Sequence, residues 1–122
     1  MNIKKLKQIA KKLRIKTFNS FIEKGEAHLG GSFSMMEILL TIYEIILKKK
    51  DKFILSKSHS SYPLCLYLRE KGLRTKLTTH LELDEKNGIN ATTGSLGHGL
   101  PLAVGMAFAR KKQKISGKII VL

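Results

Sequence analysis

Thr92-Thr93-Gly94-Ser95-Leu96-Gly97-His98-Gly99-Leu100 places three glycines within six residues and runs straight into an apolar stretch with helical spacing. Glycine lets the backbone approach a ligand or a neighbouring element closely, and a helix N-terminus presents unpaired N–H groups with a partial positive charge. The segment can therefore seat an anionic cofactor. The same residues also serve tight packing of a helix on a sheet. Downstream, a helix is expected from residue 96 or 97 to 112, with Ala103, Val104, Gly105, Ala107, Phe108 and Ala109 as a close-packing face. Gly117 then turns the chain into residues 118–122, Lys-Ile-Ile-Val-Leu, a β-branched strand of the buried, parallel type.

Upstream of the glycine-rich segment, helices alternate with short apolar runs. Residues 2–24 carry Ile3, Leu6, Ile9, Ala10, Leu13, Thr17, Phe18, Phe21 and Ile22 at spacings of three and four, which predicts an amphipathic helix stopped by Gly25. Residues 28–33 read as a turn with adjacent glycines. A second helix is expected from Ser34, because Ser34-Met35-Met36-Glu37 has capping-box spacing; the lysines at 48–50 suit its C-terminus. Residues 53–55 read as a buried strand, 56–60 as a hydroxyl-rich turn, and 60–71 as a helix with Pro63 in its first turn and Gly72 closing it. Residues 73–91 are turn material. The pattern predicts an α/β fold, a parallel sheet with helices packed on it. With two strands and an end inside an apolar strand, residues 1–122 are expected to form an incomplete N-terminal domain: a helix over 1–24 and a motif-bearing region over 25–122.

Bulk properties narrow the function classes. The 122 residues are 43% hydrophobic, which argues for a folded domain, and no apolar run approaches the ~20 residues of a membrane helix. With no secretory cleavage pattern the chain reads as cytoplasmic. The single cysteine, Cys65, lies between Leu64 and Leu66 and reads as a buried thiol; the Met35–Met36 pair reads as core filler. The 23 basic against 9 acidic residues, a net charge of +14, favour anionic ligands. The lysines are scattered over helix ends and polar faces, and no basic motif interleaved with aromatics appears, so specific nucleic-acid binding is not expected.

Three histidines stand in distinctive settings. His28 lies in Gly25-Glu26-Ala27-His28-Leu29-Gly30-Gly31-Ser32, His59 ends Asp51-Lys52-Phe53-Ile54-Leu55-Ser56-Lys57-Ser58-His59, and His80 lies in Thr78-Thr79-His80-Leu81. With the Thr-Gly-Ser-Leu-Gly-His-Gly segment, this ordered set resembles the N-terminal part of transketolases over residues 15 to 122. That family carries a His-Pro-Gly-Gly-Ser-like turn, an Asp-Arg-Phe-apolar-Leu-Ser-Lys-Gly-His segment, a further His, and Thr-Gly-(Ser/Pro)-Leu-Gly-Gln-Gly before an Ala- and Gly-rich helix. Here Ala27 and Leu29 replace a Gly and a Pro, and His98 replaces the Gln.

The resemblance implies thiamine diphosphate as cofactor and transfer of a two-carbon ketol unit between sugar phosphates. It implies cofactor-binding roles for His59 at the diphosphate, for Gly94 through its carbonyl at the aminopyrimidine, and for Leu96 packed on a cofactor ring. His28 and His80 match substrate-channel histidines, able to bond ketose hydroxyls and move protons. No residue present matches a metal ligand. Mg²⁺ or Ca²⁺ is implied only with the downstream Gly-Asp-Gly motif, and a C-terminal half or second subunit with the pyrimidine-binding domain is implied as partner, in a homo- or hetero-oligomer. The chain alone is expected to be inactive. Two other readings stand beside this: a related thiamine-diphosphate enzyme with another sugar or acyl substrate, and a noncatalytic binding or assembly module.

Overall fold

The computed structural model describes residues 2–25 and 28–122. Helix α1 spans Ile3–Lys24. Asn2 Oδ1 accepts the Lys5 N–H at 2.9 Å, satisfying one of the donors a first turn leaves unpaired. Gly25 ends the helix in the left-handed region, at φ 67°, donating its N–H to Phe21 O. Only Ala10, Leu13 and Thr17 of α1 are buried, a stripe at i, i+3 and i+7; Ile3, Phe18 and Ile22 face outward.

The next stretch departs from the sequence expectation. Residues expected to form a turn make a short helix α2, Leu29–Ser34, and α3 follows at Met36–Thr41, widening into a π-type turn at Ile42–Ile46. The capping box at Ser34 does not form: its hydroxyl donates back to Gly31 O at 3.1 Å. A Cβ on Gly31 would run into Ser60 Oγ, so the glycine is here for close approach of two elements rather than for a turn. The lysines at 48–50 lie beyond the helical end, where Asp51 Oδ2 accepts the Lys48 N–H at 3.0 Å. Met35 and Met36 are buried in the core, as expected.

Strand β1, Lys52–Ile54, pairs in parallel with β2, Ile119–Val121, in the register Lys52↔Ile119 to Ile54↔Val121. Both strand starts are held by Asp51, whose Oδ1 accepts the Lys118 N–H at 2.8 Å. The N–H groups of Lys118 and then Lys48 keep that carboxyl below its usual range. Helix α4, Tyr62–Glu70, follows a 3₁₀ turn at Ser58–Ser60 and packs on α1. Tyr43 joins the layers, its ring meeting Phe53 of β1 at 5.3 Å and Tyr67 of α4 at 5.0 Å. Cys65 is fully buried, and burial pushes its thiol up to about 11, which makes it core and not nucleophile.

Helix α5 is Gly99–Lys112, starting later than expected because Gly97 adopts φ 85° and residues 95–98 form a turn closed by the His98 N–H to Ser95 O. Only Gly99 and Ala103 of α5 are buried; the rest of the expected close-packing face, including Gly105, Ala107 and Phe108, is open. At its C-terminal end Lys114 takes φ 56°, a left-handed position usually held by glycine, at a cost of roughly 1–2 kcal/mol. The observed fold is thus an α/β arrangement rich in helix with a two-stranded parallel sheet.

Candidate functional site

Strand β1 delivers Leu55 and then Ser56, whose N–H donates to Leu122 O at 2.7 Å, so the loop carrying His59 springs from the carboxyl end of the sheet. Open α/β sheets bind ligands at that end. Gly99 lies against this loop: its N–H donates to Ser56 Oγ at 3.2 Å, and a Cβ there would come 2.6 Å from Ser56 Cα. Packing thus explains Gly99, and His98 is an exposed loop residue.

His28, at the start of α2, and His59 come together, ring centroids 5.0 Å apart and planes at 77°. The His59 imidazole is held below its usual value, first by desolvation and then by the nearby His28 and Lys57. Lys57 Nζ donates to Gly31 O at 2.8 Å, tying the loop to α2. A Cβ on Gly31 would stand 3.4 Å from His59 Nε2, so glycine keeps this nitrogen clear.

His80 and Gly94 form a second pair. Leu81 and Thr93 exchange N–H···O bonds of 3.0 and 2.9 Å in an antiparallel bridge, which sets His80 opposite Gly94. A Cβ on Gly94 would lie 2.5 Å from His80 Cδ2, so the ring rests where any other residue would project. Leu96 belongs to neither pair; it stands on the loop 72% exposed. A cavity of about 340 Å³ borders His80, between Arg74, Lys76 and Asp84, and is not lined by His28 or His59.

Sequence reasoning missed the residue that links the two pairs. Ser58 is fully buried; its hydroxyl shares one proton between Thr79 O at 2.7 Å and Thr93 O at 2.8 Å, and accepts the Leu81 N–H at 3.2 Å. Thr93 Oγ1 donates to Leu55 O at 2.8 Å, adding a second tie. The available signal was the hydroxyl-rich run Ser56-Lys57-Ser58-His59-Ser60-Ser61; Ser58, Ser60 and Ser61 are all buried, and nothing in spacing says which of them bridges Thr79 and Thr93. Among the described residues no group of three or more His, Cys, Asp or Glu is placed to hold a metal ion. None of the described helices is long and apolar enough to cross a membrane.

Histidines and close-packed glycines thus stand on loops near the carboxyl end of a parallel strand pair in a domain of the α/β class. A family model described as "Transketolase, thiamine diphosphate binding domain" matches residues 5–117, and the chain belongs to that family. It is similar to an apulose-4-phosphate transketolase subunit of Actinobacillus succinogenes, 36% identical over 98% of this chain and 50% of the relative. The 6-deoxy-6-sulfo-D-fructose transketolase subunit SqwG of a Clostridium species is 30% identical over 96% of this chain and 50% of its own length. The transketolase of Mycobacterium leprae is 30% identical over 84% of this chain and 18% of its own. The chain spans about half the length, or less, of these curated relatives.

Proposed function

We propose that this chain is the diphosphate-side part of a transketolase-like enzyme that moves a two-carbon ketol unit between sugar phosphates. The observation that carries the reading is the paired placement of His59 with His28 and of His80 with Gly94, joined through Ser58. Membership of a thiamine diphosphate binding family supports the cofactor. Two relatives are themselves named as transketolase subunits, which supports work with a second polypeptide carrying the pyrimidine-binding domain.

The residues present fit such a cofactor. His59, with its pKa lowered, is neutral near pH 7 and can donate one N–H to a diphosphate oxygen while Gly31 leaves Nε2 unobstructed. Gly94 offers a backbone carbonyl, and Leu96 an exposed apolar surface for a ring. Thiamine diphosphate, when bound, supplies the nucleophilic carbon and the electron sink of the reaction. This chain's part is to bind, orient and move protons. We assign to His28 and His80 the roles of hydrogen-bond partners for sugar hydroxyls and of proton carriers. The bridging Mg²⁺ or Ca²⁺ requires carboxylates beyond these residues.

The test is calorimetric titration of thiamine diphosphate with Mg²⁺ into the chain, alone and with its second half in cis or as a partner. A coupled assay on xylulose 5-phosphate and ribose 5-phosphate accompanies it. Cofactor binding and turnover are expected with the second half, and no turnover without it. Absence of cofactor binding in the complete assembly overturns the reading.

A further inference from the structure

A second site lies at the other end of the sheet. The amino ends of β1 and β2, the 3₁₀ turn at Glu85–Asn87 and the last turn of α5 border an open depression of about 740 Å³, floored in part by the apolar Met106, Ala109 and Ile115. Lys49, Lys50, Lys52, Arg110 and Lys114 line it, against the single carboxylate of Glu85. Glu85 is already paired with Lys52 at 2.9 Å, which leaves four cations of the lining uncompensated. Asp51 is nearby in sequence, but its two oxygens are engaged by the Lys48 and Lys118 N–H groups.

Three further observations describe its lining. First, Arg110 Nη2 donates to Lys50 O at 2.6 Å and also to Ser116 O, which fixes the guanidinium across the cleft. Its Nε–H is buried with no partner among the described residues. Second, the carbonyl dipoles at the end of α5, which would repel an anion, are answered. Ala109 O accepts the Gln113 N–H, Arg110 O the Ile115 N–H and Lys111 O the Lys114 N–H. Third, the left-handed position at the helix end holds Lys114 where glycine is the unstrained choice, and the lysine lines the cleft.

We propose that this cleft is an anion site for a small phosphorylated molecule carrying at least two phosphate charges, separate from the histidine site. Converging cations around a fixed guanidinium bind phosphate through charge-assisted hydrogen bonds, and the concave wall raises the local potential. The site stands on opposite sheet ends from His59 and does not depend on what His59 binds.

Inorganic pyrophosphate is titrated into the ¹⁵N-labelled full chain at low ionic strength and followed by NMR. Saturable shifts centred on the amides of Lys114 and Ser116 are expected. Lys114→Gly relieves the backbone strain, so it keeps or raises the thermal midpoint while weakening binding about fivefold or more; Arg110→Met weakens it about tenfold or more. Lys114→Gly is decisive even where Arg110→Met fails to fold. Affinity is read at Ser116, so pyrophosphate that also reaches the His59 loop does not enter it. The proposal is overturned by unchanged affinity in Lys114→Gly, by the absence of saturable shifts at Lys114 and Ser116, or by unsaturable shifts over all lysines. Tighter binding of a DNA duplex to the same residues also overturns it, in favour of a nucleic-acid surface.

Discussion

The His28 ring meets the His59 ring edge-on, with centroids 5.0 Å apart and planes at 77°. The two residues are 31 positions apart in sequence (59 − 28), and α2 and the loop after β1 bring them together. Desolvation, then His28 and Lys57, disfavour charge on His59, so the contact adds to a lowering that burial leads.

Acid should therefore destabilise the fold through His59. Its folded-state pKa lies below the ordinary 6.5, so the unfolded chain binds more protons as pH falls through that value. Stability is full above 6.5 and declines as pH drops toward the folded pKa. Glu37, held low chiefly by Arg14, and Asp51, held low by main-chain N–H groups, add stability that is lost only below about 4.5 and 3.8. The thermal midpoint at pH 5.5 is expected below that at pH 7.5, and His59→Asn should flatten the difference. An unchanged slope in that variant sinks the assignment.

In the assembly with the second half, His59→Ala should weaken thiamine diphosphate binding by about tenfold to a hundredfold, since a hydrogen bond to a charged group contributes roughly 1.5–3 kcal/mol. His28→Ala should lower turnover and largely keep cofactor affinity. Calorimetry on both variants separates the roles. Equal affinity in wild type and His59→Ala removes His59 from the diphosphate.

Gly94→Ala places a methyl group 2.5 Å from His80 Cδ2. His80 is exposed, so its ring can swing aside, and the stability cost should stay within about 1 kcal/mol. Ring-to-backbone NOEs between His80 and residue 94 are expected to disappear, with turnover falling as in His80→Ala. Retained NOEs would show that the close contact is not what holds the ring.

Ser58→Ala removes a buried hydroxyl with three main-chain partners and leaves Thr79 O without its donor. A loss of about 1–3 kcal/mol is expected in urea unfolding, with faster amide exchange at Leu81. A stability equal to wild type would mean that the two histidine pairs are held together by other contacts.

Leu100, Val104 and Phe108 lie four residues apart along α5, 61%, 61% and 62% exposed. That stripe suits an apolar interface. Sedimentation of the chain alone should show self-association at low micromolar concentration, and Phe108→Asp should reduce it. A monomer that unfolds cooperatively, with or without the substitution, counts against a partner on this face.

The sequence alone determined the long helices, both strands and the candidate residues. Spacing of three and four marked α1, the short apolar runs marked both strands, and the ordered motifs around His28, His59, His80 and Gly94 identified the family, because these signals are local and periodic. Tertiary structure decided the rest. Gly30-Gly31 became helix instead of turn, with Ser60 Oγ filling the space a side chain at Gly31 would take; Ser34 ends that helix and donates back to Gly31 O instead of capping the next. Which serine bridged Thr79 and Thr93, which glycine received the His80 ring, and which backbone carbonyl held Arg110 depended on residues up to 60 positions apart. Burial and close approach are properties of the packed chain, and no window of local sequence contains them.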